Sequence, residues 1–444
     1  MEIVTDRYVA LVGRPNVGKS TLFNRLTRTR EAIVHDEPGV TRDRHYGRVE
    51  SEEGGFTLID TGGFEPTAEE GLPHLMRTQV ETAVDEADVV VFLLDGRQGV
   101  TPMDMEIAGL LRKRSKKVVA AINKLDDPQM YDLLTDFYSL GLDNLIPVSS
   151  AHGLGVGPLL EAVAGLLPPG DRVEEVPEGV IRMAVVGRPN VGKSSLVNKV
   201  LGRERMVVSE IPGTTRDAVD TPVRVNGRDY LLIDTAGIRK PGRIKKGVER
   251  WSVVRALKAM DRADVAVVLI DSVEGLTDQE ARVCGMAVDR GRAIILAVNK
   301  WDLVEDPDKA FKEFKDLIAY KLKFLSYVPW LVISAKTGRN IPKIFKAAEE
   351  LYAQYVFRAS TSEVNRVLED SQRHHQAPLI GRGRLKLFYA TQVSTMPPTF
   401  VVFTNAPEKV HFSYSRYLQN RFREAFGLDR IPLKVYFRKR KQRD

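Results

Sequence analysis

The strongest constraint on this chain is that it contains the same stretch twice. VALVGRPNVGKSTLFNRL at residues 9–26 returns as MAVVGRPNVGKSSLVNKV at 183–200. The offset is 174 from Gly13 to Gly187. It holds at Thr41/Thr215 and Asp60/Asp234, becomes 176 at Asn123/Asn299 and reads as 184 at Ser150/Ser334. In the first copy, short apolar runs at Tyr8–Val12, Phe56–Ile59, Val89–Leu94, Val118–Ile122 and Leu145–Val148 alternate with amphipathic helical patterns. Runs buried on both faces and linked by crossover helices predict an α/β fold with a mostly parallel sheet, built twice. In the second copy Val223–Val225 and Tyr230–Ile233 flank Asn226-Gly227, which favours a type I′ turn, so an antiparallel edge hairpin is expected there. PPGDRVEEVPEG, from Pro168 to Gly179, has little to bury and reads as a linker. The expected domains are 1–167, a linker at 168–180, 181–357 and 358–444.

Each copy carries G-x-x-x-x-G-K-[ST] between an apolar strand and a helix. The residues are Gly13, Arg14, Pro15, Asn16, Val17, Gly18, Lys19 and Ser20, and then Gly187, Arg188, Pro189, Asn190, Val191, Gly192, Lys193 and Ser194. Glycines let backbone N–H groups close around phosphates, the lysine reaches the outer phosphates, and the Ser20 or Ser194 hydroxyl suits Mg²⁺. DTGG and DTAG place Asp60 and Asp234 at strand ends for the Mg²⁺ shell, with Gly63 and Gly237 offering N–H groups to a γ-phosphate. Thr41 and Thr215 sit where a mobile loop closes over the metal. The base is chosen by NKLD (Asn123, Lys124, Asp126) and NKWD (Asn299, Lys300, Asp302). A carboxylate at the fourth position accepts from N1–H and the 2-amine of guanine, and adenine has no N1–H to offer. Ser150-Ala151 and Ser334-Ala335 supply a loop whose N–H meets the guanine O6.

These ordered motifs resemble those of the translation-factor class of GTPases. Two such domains followed by a small basic domain resemble the Der (EngA) family of bacterial ribosome-assembly GTPases over essentially the whole chain. The resemblance implies two tandem P-loop GTPase (G) domains and a small α+β KH-like domain. It also implies GTP hydrolysis with GTP/GDP and Mg²⁺ as ligands, a cytoplasmic location, and the large ribosomal subunit or its precursor as partner, through ribosomal RNA. A monomer and no membrane are expected. Where Ras-like enzymes place a water-orienting Gln, this chain has Phe64 and Ile238. By family resemblance Asn16 and Asn190 then hold a K⁺ ion beside the phosphates, with Lys19, Lys193, Thr41 and Thr215 completing the catalytic groups. Arg42 and Arg216 are alternative internal arginine fingers.

Charge is placed unevenly. Residues 356–444 hold 17 Lys or Arg against 7 Asp or Glu, a net +10 in a chain of net +7, which leaves the first 355 residues at −3. A basic end on a slightly acidic body suits a polyanion, nucleic acid or an anionic membrane. The class alternative to a ribosome-binding switch is therefore a protein-binding or membrane-surface GTPase without an RNA partner. The segment after DTAG adds Arg239, Lys240, Arg243, Lys245 and Lys246, unlike the acidic one after DTGG. The C-terminal pattern reads helix Thr361–Gln372, strands Leu385–Val393 and Thr399–Phe403, helix Ser413–Phe426 and strand Leu433–Phe437. It lacks the G-x-x-G with which KH domains clamp RNA, so docking on a G domain and RNA contact through a basic surface both stay open. His374-His375 read as solvated helix-end residues. The single cysteine, Cys284, reads as helix packing, and no apolar run approaches the ~20 residues of a membrane span.

Overall fold

A computed structural model describes residues 7–27, 46–49, 55–60, 81, 83–85, 87–142, 145–168, 177, 179–202, 206–208, 220–235, 253–376, 379–380 and 383–439. They divide into two compact units, parting between Val173 and Glu174.

In the first unit, β1 (Tyr8–Val12) leads into α1 (Lys19–Thr27), then β2 (Tyr46–Val49), β3 (Phe56–Asp60) and β4 (Val89–Asp95). α2 (Pro102–Lys113), β5 (Lys117–Asn123), a 3₁₀ stretch at Pro128–Leu140, β6 (Leu145–Pro147) and α3 (Val156–Leu166) follow. The sheet order is β2-β3-β1-β4-β5-β6, and only β2–β3 is antiparallel. The period of two along each strand sorts the core cleanly. Val9, Leu11, Val89, Val91, Leu93, Val119 and Ala121 pack on the α1 and α3 side, and Ala10, Val12, Val90, Phe92, Leu94, Ala120 and Ile122 on the α2 side. Phe92 is fully buried, and its truncation to Ala would cost about 3–5 kcal/mol. Strand order turns about β1, with β3 on one side and β4 on the other. The carboxyl ends of β1 and β4 therefore open a crevice, the usual place for a ligand in such sheets.

The second unit repeats this with β7 (Ile181–Val186), α4 (Lys193–Leu201), β8 (Met206–Val208), β9 (Thr221–Val225) and β10 (Arg228–Ile233). Then come α5 (Val253–Arg262), β11 (Val265–Asp271), α6 (Asp278–Asp289), β12 (Ala293–Asn299), α7 (Pro307–Lys321), β13 (Trp330–Val332) and α8 (Ile341–Tyr355). Its order is β13-β12-β11-β7-β10-β9-β8. Asn226 (φ +51°) and Gly227 (φ +84°) make the tight turn of the β9–β10 hairpin, as the dipeptide requires. The antiparallel edge expected of the second copy alone is present in both, since β2 pairs with β3 in the first. Only the second copy advertises it with Asn-Gly.

The C-terminal elements are α9 (Thr361–His374), a short hairpin of β14 (Leu379–Ile380) and β15 (Gly383–Arg384), β16 (Leu387–Ser394), β17 (Thr399–Thr404), α10 (Phe412–Ala425) and β18 (Lys434–Lys439). β16 is antiparallel to β17, whereas β18 runs parallel to it because α10 supplies the crossover. The β14–β15 hairpin is absent from the sequence expectation. Cys284 is buried on α6, where burial pushes its thiol pKa up. His374 is exposed near Asp370, and His375 packs its ring against Tyr414 and Tyr417.

These elements share one core with the second G domain. The apolar cluster runs from Ile181 and Val267 through Leu351 and Tyr355 to Leu368, Phe400, Leu418 and Phe437. α8 is the joint. The Tyr355 hydroxyl donates to the Gly291 carbonyl at 2.6 Å, and the Tyr355 carbonyl accepts from the Met396 amide at 3.0 Å. Gln354 donates to Asp429 at 2.7 Å, and Arg430 pairs with Glu350 at 3.0 Å.

Candidate nucleotide sites

Each P-loop follows from a strand that ends in glycine against its neighbour. A Cβ on Gly13 would stand 2.3 Å from the Leu93 carbonyl of β4, and one on Gly187 would stand 2.7 Å from that of Leu269 in β11. The loop then turns through left-handed residues, Asn16 (φ +65°) and Gly18 (φ +102°), repeated at Asn190 (φ +62°) and Gly192 (φ +99°). Only glycine fits the second of these, because a Cβ on Gly18 or Gly192 would lie 2.3 Å from the amide nitrogen of Asn123 or Asn299. The Lys19 ammonium folds back on the carbonyls of Gly13 (2.9 Å) and Arg14 (2.8 Å), and Lys193 on those of Gly187 (2.9 Å) and Arg188 (2.6 Å). The exposed side chains of Asn16 and Asn190 make no hydrogen bond among the described residues.

The metal-side oxygens fit Mg²⁺. Ser20 Oγ lies 3.2 Å from Asp60 Oδ2 beside the loop, a hard oxygen pair of the kind that ion takes. Asp234 sits just past β10 at φ +55°, and burial raises its carboxyl pKa in spite of nearby Arg255. A cation beside it would favour the charged form.

The base side is assembled from β5 or β12 and the following loops. Asn123 Nδ2 donates to the Val17 carbonyl at 2.7 Å, and its Oδ1 accepts from the Ser150 amide at 2.9 Å. Asn299 does the same with Val191 (2.7 Å) and Ala335 (2.9 Å). These asparagines tie the phosphate loop to the base loop. Lys124 (φ +67°) donates to the Asn16 carbonyl at 2.9 Å and to Asp95 at 2.6 Å, and Lys300 (φ +63°) pairs with Asp271 at 2.5 Å. Burial pushes the Asp271 carboxyl up, but the Lys300 ammonium together with the backbone amides of Val273 and Glu274 outweighs this and holds it below the usual range.

One expectation is corrected here. Ser149, not Ser150, is the counterpart of Ser334. Ser149 Oγ donates to Asp126 at 2.5 Å as Ser334 Oγ donates to Asp302 at 2.6 Å, so the last offset is 185, and Ser150 matches Ala335. The doubled serine in SSA hid the register. The side chains of Arg14 and Arg188 turn away from the loop mouth to buried carboxylates, Asp104 (3.3 Å) and Glu280. Those acids close capping boxes with Thr101 and Thr277 at the starts of α2 and α6. TPMD and TDQE carry that signal in the sequence, and Asp95 and Asp271, charges ending wholly apolar strands, were likewise findable. Thr41, Arg42, Gly63, Phe64, Thr215, Arg216, Gly237, Ile238 and the basic run from Arg239 to Lys246 lie outside the described residues.

This doubled geometry agrees with what the chain is similar to. A family model described as "50S ribosome-binding GTPase" matches residues 8–124 and 182–300. One described as "KH-domain-like of EngA bacterial GTPase enzymes, C-terminal" matches 358–438. The GTPase Der of Geobacter metallireducens is 50% identical over 437 residues, 98% of this chain and 99% of the relative. That of Clostridium novyi is 49% identical over 434 residues, again 98% and 99%. The chain belongs to the Der (EngA) family of GTPases. As a Der-family member it binds GTP and hydrolyses it to GDP and phosphate, on two P-loop domains followed by a KH-like domain. No helix among the described residues is long and apolar enough to cross a membrane.

Proposed function

We propose that this Der-family chain is a GTP-dependent switch in ribosome biogenesis, binding the large ribosomal subunit or its precursor in one nucleotide state and leaving it in another. The observation that carries the reading is the pair of guanine-nucleotide motif sets in a chain whose last 89 residues hold a net +10. The description of the matching family, a 50S ribosome-binding GTPase, supports it. We assign the G domains to 1–167 and 181–357, a linker to 168–180 and the KH-like domain to 358–444, with the chain acting as a cytoplasmic monomer. In each site Lys19 or Lys193 leaves its two carbonyls for the outer phosphates, and Asp126 or Asp302 reads the guanine edge. Ser20, Thr41 and Asp60, or Ser194, Thr215 and Asp234, would hold Mg²⁺, which neutralises phosphate charge. Asn16 and Asn190 would hold K⁺, which supplies positive charge to the transition state where Phe64 and Ile238 cannot orient water. Gly63 and Gly237 sense the γ-phosphate. A nucleotide shifts binding only through different affinities for two conformations, and these γ-phosphate contacts supply the difference.

The test is pelleting of the full chain with purified ribosomal subunits, across salt, with GDP or a non-hydrolysable GTP analogue. Binding to the large subunit is expected with the analogue, weakening as salt rises because phosphate contacts release counterions. Equal pelleting with both nucleotides would defeat the switch. Binding to anionic vesicles instead of subunits would favour the membrane-surface reading.

A further inference from the structure

The two guanine pockets share their motif residues but differ in what holds the base-reading carboxylate. In the first, Arg97 follows β4 and lays its guanidinium across the NKLD turn. Its Nη2 donates to Asp126 Oδ2 at 2.5 Å and its Nε to the Lys124 carbonyl at 3.2 Å. Ser149 Oγ takes the other oxygen, Oδ1. Both oxygens of Asp126 are thus engaged from the protein side, and a carboxylate, with about four acceptor positions, still has room for the two guanine donors. In the second pocket Asp302 has its serine, Ser334, but the residue in the place of Arg97 is Val273, which is exposed and whose side chain has no donor. A second arginine is also particular to the first pocket. Arg25 of α1 donates to the carbonyls of Ser150 (2.6 Å) and Ala151 (2.5 Å), whereas the side chain of its counterpart Lys199 makes no hydrogen bond among the described residues.

We infer that Arg97 is a positioning residue for guanine in the first pocket, fixing the plane of Asp126 between itself and Ser149, and that the second pocket reads guanine without this brace. The inference rests on Asp126 as the base reader. A carboxylate free to rotate about its Cβ–Cγ bond must be ordered when guanine arrives. One already held at both oxygens has met that cost in the folded chain. The brace is an exposed ion pair, so it acts on the scale of one such pair and fades with salt.

The test uses the full chain carrying Asp302→Asn, so that GDP reports on the first site alone. Affinities for GDP and for IDP, which lacks the 2-amine, are measured at low and high KCl. Arg97→Val is expected to weaken GDP binding about two- to fivefold at low salt. IDP should lose less, the difference should shrink at high salt, and Arg97→Lys should restore part of it. In an Asp126→Asn background, Val273→Arg should tighten GDP at the second site. Unchanged or tighter GDP binding in Arg97→Val would overturn the inference, as would equal losses for GDP and IDP or no tightening by Val273→Arg. If Asp126→Asn in the Asp302→Asn chain still binds GDP, the base-reader assignment falls instead, and the two failures are told apart.

Discussion

The two G domains reproduce each other at the motif residues that would touch nucleotide and differ in the elements around them. Asn123 and Asn299 make the same two bonds at the same 2.7 and 2.9 Å, and the serine-to-aspartate bonds agree to 0.1 Å. Between β5 and β6 the first domain winds a 3₁₀ stretch, whereas the second places α7 and two short 3₁₀ turns between β12 and β13. The first keeps two cores to itself, and the second continues one of its own into the C-terminal elements through α8. A nucleotide site tolerates little change because its groups must meet fixed donors and acceptors. Its supports need only deliver those groups. The second domain is therefore the one whose core is continuous with the basic C-terminal elements.

The largest test of this comparison lies under the P-loops. Arg14 meets a short acid, Asp104, and leaves Nη2 without a partner. Arg188 reaches both Glu280 and, at 3.0 Å, Glu274, although its own Nη2 is also unpartnered. Removing one member of a buried pair strands the other, so Asp104→Ala and Glu280→Ala are each expected to cost about 3–5 kcal/mol in denaturant unfolding. A loss confined to one of them would break the symmetry of the loop supports. Next come Gly18→Ala and Gly192→Ala. Each adds a methyl into an asparagine amide at a left-handed backbone position, at a cost of about 2–4 kcal/mol, and should abolish nucleotide binding in its own domain only. Loss of both sites from one substitution would mean that the domains are not independent at this level. Smaller again is the expected K⁺ effect. Hydrolysis should run on the order of tenfold faster, about 1.4 kcal/mol, in KCl than in NaCl. Asn16→Ala or Asn190→Ala should remove the difference in its own domain. Equal rates in the two salts would remove K⁺ from both sites.

Much of this was legible in the sequence because the phosphate and base motifs are local. A P-loop is one turn between a strand and a helix, and NKxD ends a strand, so residue spacing alone places them. The strands Tyr8–Val12 and Val89–Leu94 were readable because they are apolar throughout. What escaped depends on pairing across distance. SSA offers two serines, and only the bond from Ser149 to Asp126, 23 residues earlier, selects one. The partner of the Arg14 side chain was not legible either, because the acid it pairs with lies 90 residues on. The edge strand β2 carries Gly47 and Arg48 among few apolar residues, and its place is set by the partner β3. The shared core of the second domain and the C-terminal elements rests on Tyr355, an unremarkable residue at the end of a helix.

The most direct test of the account is a count of guanine nucleotides per chain. Equilibrium dialysis with GDP on the full chain is predicted to give two per chain, falling to one with Asp126→Asn, one with Asp302→Asn and none with both. Each lost GDP should be replaced by one XDP, whose C2 oxygen suits an amide donor. A wild-type stoichiometry of one, or two GDP retained in the double variant, would contradict the claim that this chain carries two guanine sites read by Asp126 and Asp302.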